Sequence, residues 1–162
     1  MAFPSRLVSS NRQAIGPDRV LRGSGSEANI GMAHHFEFEA EHKILRLVLE
    51  GDVENEEYLR LSAAIQAQAQ RLRPRAGITD GTSLANFNIT TQVLRTVALQ
   101  GSPYPPDTPR YIVAPSDYLF GLARMYELVG NHSEGKLQVV RKLEEALADL
   151  AVTNARFERV TA

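Results

Sequence analysis

Between Ile78 and Leu99 the chain collects an acid, an amide and several hydroxyls in a short span: Asp80, Thr82, Ser83, Asn88, Thr90 and Thr91. Such a set suits anion recognition. Hydroxyls at a helix start meet the unpaired N–H groups and the positive end of the dipole, a place fitted to a phosphate, a carboxylate or a phosphorylated side chain. Thr90 stands at that start and is the candidate phosphoacceptor, since a phosphate there adds about −1.5 to −2 charge. Its hydroxyl also serves as an ordinary N-cap, whose loss costs about 1 kcal/mol. Ser116 and Asp117 open another helix, and Arg141 follows the last strand. Ligands of open α/β sheets favour the carboxyl ends of parallel strands. The expected interaction or ligand surface is therefore Asp80, Thr82, Ser83, Asn88, Thr91, Ser116, Asp117 and Arg141 around Thr90.

No reaction is fixed by these residues. Asp80 and Asp117 could act as general bases only in the sense that any carboxylate could. No serine sits in a G-x-S-x-G elbow, and Gly23-Ser24-Gly25 lies in a polar leader rather than between a strand and a helix. No metal set is expected from the histidines: His34 and His35 point to opposite faces of a strand, and His42 and His132 read as lone loop residues. Cysteine is absent, which removes disulfides and thiolate chemistry and fits a reducing compartment. A formal net charge of −1, with 18 basic and 19 acidic residues, gives no footprint for nucleic acid. No run approaches the ~20 apolar residues of a membrane span. No cofactor is expected.

The elements that must position this surface follow from periodicity. Phe36 and Phe38, then Leu45, Leu47 and Leu49, alternate with polar residues and predict two strands joined by the short link 40–43, an antiparallel hairpin. Tyr58, Leu61, Ile65, Ala69 and Leu72 share one face of a helix over 55–72, with Asn55 able to cap it and Pro74 ending it. A short strand 76–79 then leads through a polar loop to a helix over about 90–100, ended by Gly101. After a loop with four prolines, Tyr111-Ile112-Val113-Ala114 reads as a central strand covered on both faces. A third helix runs from Pro115-Ser116-Asp117 to Gly130-Asn131, with Phe120 and Met125 beside its inward stripe, either a docking face or the margin of a wide core stripe. A last strand over 136–141 and a last helix over 143–150 complete the order β-β-α-β-α-β-α-β-α. The fold class is α/β: a single-domain, mixed five-stranded sheet, its first hairpin antiparallel and the rest parallel, with four helices. With 162 residues, 43% of them hydrophobic, one core is expected. Residues 1–31, rich in Ser, Pro and Gly and bearing Arg6, Arg12, Arg19 and Arg22, read as a disordered tail, or as a mis-assigned start with Met32 the true beginning. Their serine- and arginine-rich composition also fits a transit peptide. The domain proper is 32–162.

That order, with an acid closing a central strand and a hydroxyl at the next helix start, resembles the STAS domain. This is the domain of anti-sigma-factor antagonists and of the cytoplasmic tails of sulphate transporters, with looser sporulation-antagonist-like relatives of unknown role. The family pattern D-x-S-G-V-x-x-x-D-S-[ST]-G-L lies over Asp80 to Gln92: Asp80 and Thr82 fall on the first acid and hydroxyl, and Thr90 on the phosphorylated position. Asn88 replaces the second acid, Ile89 the first serine of the pair and Thr91 the glycine. The resemblance implies a non-enzymatic, cytoplasmic module that binds a protein partner, with phosphorylation at Thr90 as a switch. The alternative is a carrier of a small lipid or anionic metabolite, held in apolar space between sheet and helices.

Overall fold

Leucines at every second position of β2 set the layering of the sheet, because alternate strand residues point to opposite faces. The computed structural model describes residues 34–130 and 136–161; the expected tail over 1–31, the alternative start at Met32, and His132 lie outside them. The elements are β1 (His34–Glu39), β2 (Ile44–Glu54), α1 (Asn55–Leu72), β3 (Ala76–Asn88), α2 (Thr91–Leu99), β4 (Arg110–Val113), α3 (Asp117–Val129), β5 (Leu137–Val140), α4 (Leu143–Asp149) and β6 (Glu158–Arg159). The sheet order is β5-β4-β3-β2-β1-β6. β1 pairs antiparallel with β2, while β2-β3, β3-β4 and β4-β5 are parallel, as the crossover helices require.

Leu45, Leu47 and Leu49 point to the face covered by α1, where they meet Leu61, Ile65 and Ala69. Val53, Ile89 and Leu94 continue this layer beneath α2 and α3, joined by Leu122, Met125 and Tyr126. Ile44, Ile78, Tyr111 and Val113 point the other way and pack against Ala146, Leu143 and Leu147 of α4 and against Val152 and Phe157 beyond it. The Tyr111 phenol donates to Asp149 Oδ2 at 2.5 Å, which ties β4 to α4.

Three expectations are corrected, and of the two alternatives for Phe120 and Met125 the margin of a wide core stripe is the one found. Among the described residues the sheet has six strands rather than five: β6, two residues long, pairs antiparallel with the outer edge of β1 and is too short to show a period. The polar loop expected over 81–88 is strand, since β2 runs on to Glu54 and offers Glu50–Glu54 as a parallel partner to Ser83–Asn88. Register shifts between Val48 and Glu50 and between Gly51 and Asp52 bend this extension. Asn86 Nδ2 donates to Asp52 Oδ1 at 2.7 Å and Asn88 Nδ2 to Glu54 Oε1 at 3.0 Å, so the amides that suggested a loop knit two strands together. Asn55 does not cap α1, whose N-cap is Glu54; its Oδ1 accepts instead from the Thr90 N–H at 3.0 Å. Phe120 and Met125 are half-buried, Met125 within the α2–α3 core, and the exposed apolar residues of α3 are Tyr118 and Leu128.

Candidate functional site

The expected site residues fall into three separate places; among the described residues, no hydrogen bond or ion pair joins one place to another. Asp80 and Thr82 lie on the α4 face of the sheet. Asp80 is 1% exposed, and both its oxygens are engaged: Oδ2 accepts from Arg46 Nε at 3.1 Å and Nη2 at 2.5 Å, Oδ1 from the Thr82 N–H at 2.9 Å and hydroxyl at 2.5 Å. Arg46 Nη1 donates to Glu37 Oε2 at 2.8 Å, Glu37 Oε1 lies 3.0 Å from His35 Nε2, and His35 Nδ1 lies 3.2 Å from Glu50 Oε1. The Phe157 ring sits 5.2 Å from the Arg46 guanidinium. This polar row crosses β1, β2 and β3. Arg46 is its hub and was readable in the sequence only as the polar partner of alternating leucines. The hairpin register, which sets Glu37 opposite Arg46, was the signal that could have found it.

Ser116, Asp117 and Arg141 do come together. Ser116 Oγ caps α3 by accepting from the Leu119 N–H at 3.1 Å. Arg141 Nη1 donates to Asp117 Oδ1 at 2.8 Å and to the Pro115 carbonyl at 3.3 Å, with its guanidinium 4.1 Å from the Phe120 ring centroid. The Asp117 side chain is 98% exposed, so this is a capped helix start with a solvated ion pair. Thr90 and Thr91 stand exposed at the tip of the β2–β3 extension, beside Asn88, while Ser83 is exposed opposite Glu50. The Thr90 hydroxyl accepts from the Val93 N–H at 3.3 Å, as an N-cap does.

His42 is not a lone residue. The β1–β2 turn brings ligand atoms of Glu39, Glu41 and His42 within 4.8 Å of one another, a donor set that a divalent ion could use. Its interior hydrogen bonds account for the buried Glu39, whose Oε2 accepts from the His42 N–H at 2.6 Å and lies 3.1 Å from Nδ1.

The helix face holds what the sequence did not signal. Between the sheet and α1, α2 and α3 lies a pocket of about 110 Å³. Leu47, Gly77 and Thr79 contribute from the strands, Tyr58, Leu61 and Ile65 from α1, Val97 from α2, Leu122 and Tyr126 from α3, and Tyr104 from the proline-rich loop. Arg110, the first residue of β4, also lines it and is 8% exposed. No carboxylate of a described residue forms an ion pair with Arg110, and its buried Nε has no hydrogen-bond partner; neither has the Tyr104 phenol oxygen. Burial pulls the Arg110 pKa down, opposed by Tyr126 and Tyr104, and burial pushes the phenols of Tyr58, Tyr104 and Tyr126 up. The Tyr104 ring lies where a β-carbon on residue 77 would have to be, 2.4 Å from its position, so Gly77 admits it. An arginine leading an apolar strand and a lone aromatic among prolines were the only sequence traces of this arrangement.

The element order along the chain is thus the one expected from the sequence, a mixed α/β arrangement, with β6 added. No family model and no curated protein matches the chain. Among solved structures it is similar to an uncharacterized protein of the DUF3478 family with a SpoIIAA-like fold from Shewanella loihica PV-4. Sequence identity is 14% and the TM-score 0.48, covering 73% of this chain and 92% of that one. The likeness concerns the fold alone. No helix among the described residues is long and apolar enough to cross a membrane.

Proposed function

We propose that the protein works by binding a small molecule in the pocket between the sheet and α1, α2 and α3, without performing chemistry on it. The observation that carries this reading is the cavity, about 110 Å³ within a largely apolar layer. Native interiors leave few voids larger than a water, and pockets of this composition are what small ligands occupy. The acid expected at the site, Asp80, gives no support to catalysis in this pocket: it lies on the other face of the sheet, and both its oxygens are taken by Arg46 and Thr82, leaving no free lone pair for a substrate proton. Native mass spectrometry of the freshly purified chain tests the reading. A reproducible added mass that leaves on denaturation is expected; a clean apo mass in every preparation counts against it.

A second reading, a protein partner that recognises the start of α2, is favoured by the exposure of Thr90 at a first turn that contains no acidic residue. A phosphoryl group there would face unpaired N–H donors. The signalling role and cytoplasmic location implied by the STAS resemblance belong to this reading. Thr90→Asp retains a capping oxygen and adds a charge, so it should change partner capture in a pull-down while leaving melting nearly unaltered. Equal capture by both forms would count against the switch.

A further inference from the structure

Resting on the pocket reading above, we infer that the ligand is a compact organic acid, an apolar body carrying one carboxylate, with the carboxylate held by the Arg110 guanidinium and the Tyr104 hydroxyl. Two independent features of the pocket lead there, its unpaired donors and its size. A guanidinium stays charged at every ordinary pH and is costly to take out of water unless paired. The half-buried Arg46 follows that rule, paired with Asp80 and Glu37. Arg110 does not: it is 8% exposed, its Nε is buried without a partner, and no described acid forms an ion pair with it. The Tyr104 hydroxyl, likewise buried and unpartnered, lines the same cavity. Native proteins leave few such groups unsatisfied, and two beside one apolar pocket make a donor pair for an anion.

One cation and one neutral donor match a monoanion. A phosphate dianion would bring a second charge into an apolar layer with nothing to meet it. Size narrows the class further, because a cavity of ~150 Å³ is filled by benzene, and this one is about 110 Å³. That is smaller than the cavity benzene fills, so a short branched chain is the best match, a single ring the upper end and a long acyl chain the poorest. Leu61, Ile65, Val97 and Leu122 supply the apolar wall for that body.

Calorimetry on the whole chain with benzoate, 3-methylbutanoate and hexanoate, against benzamide as the neutral isostere and hexadecanoate as the long chain, tests this. At least one compact acid should bind, benzoate more than tenfold tighter than benzamide if it is that acid, and Tyr104→Phe should weaken it by roughly tenfold. Arg110→Met should abolish acid binding while leaving the free protein as stable as wild type or more so, because it removes an unpaired buried charge. A merely structural arginine would give the opposite stability result. Binding of benzamide or hexadecanoate as tight as that of every compact acid would overturn the assignment of class while leaving ligand binding intact. Silence from the whole panel overturns the class as well, and silence together with a clean apo mass removes the pocket reading too.

Discussion

Asp80 and Asp117 look alike along the chain, each an acid that follows an apolar strand run, and folding gives them different work. The Asp80 carboxylate is 1% exposed and accepts four hydrogen bonds from Arg46 and Thr82. Removing it leaves Arg46 half-paired beneath Phe157, and breaking a buried pair from one side costs about 3 kcal/mol. Asp80→Ala should therefore lower the urea-unfolding free energy by about that amount, whereas Asp117→Ala, whose side chain is 98% exposed, should leave the curve unmoved. Equal effects would mean that the polar row across β1, β2 and β3 does not hold the sheet. The alternation in β2 announced which residues face α1, so Leu45, Leu47 and Leu49 were legible one by one. What Arg46 and Arg110 do was not, because each depends on a strand or helix distant in the chain: Asp80 for the first, the roof of α1 and α3 for the second.

Elements were legible where their own residues carry the signal and obscured where a partner does. The stripe of α1 is local, and Leu61, Ile65 and Ala69 are buried as it implies. The second half of β3 is not local: Thr82 to Asn88 is polar and turn-like in composition, and becomes strand only because β2 extends past its bulges to pair with it. The proline-rich loop after α2 was equally opaque, since its stiffness was evident but not that Tyr104 turns inward. That loop is fixed at its far end where the Gly77 N–H donates to the Pro109 carbonyl at 3.0 Å and the Arg110 N–H to the Lys136 carbonyl at 2.6 Å. Gly77 should then be the position on which the pocket turns. A methyl group there would stand 2.4 Å from Tyr104 Cζ, a contact no ring tolerates, so Gly77→Ala must either lift the loop or push the ring out. Overpacking of this kind costs about 1–3 kcal/mol, and the chain has no tryptophan to mask the tyrosine signal. A fall in melting temperature with altered near-ultraviolet circular dichroism is expected; an unchanged spectrum would show that Tyr104 does not rest on the sheet.

Across the whole molecule the two layers share one feature that a pH titration can read, namely buried phenols. Tyr58, Tyr104 and Tyr126 lie on the helix-covered side and Tyr111 on the α4 side, each with its pKa raised from 10.0, burial being the first cause and, for Tyr111, the hydrogen bond to Asp149 the next. A raised value means that the folded chain holds these protons more tightly than the unfolded chain. Their contribution to stability is therefore fully present below pH 10.0, the unfolded value, and declines as pH rises beyond it. The decline approaches roughly 1.4 kcal/mol per pH unit for each phenol that ionises only on unfolding. Denaturant midpoints measured from about pH 8 upward should hold steady as far as these groups are concerned and then drop above about pH 10, with phenolate absorbance rising in the same cooperative step. Phenolate appearing gradually, ahead of any loss of helix signal, would mean that both layers admit hydroxide. The pocket beneath α1 and α3 would then be too wet for an unpaired guanidinium to select an anion.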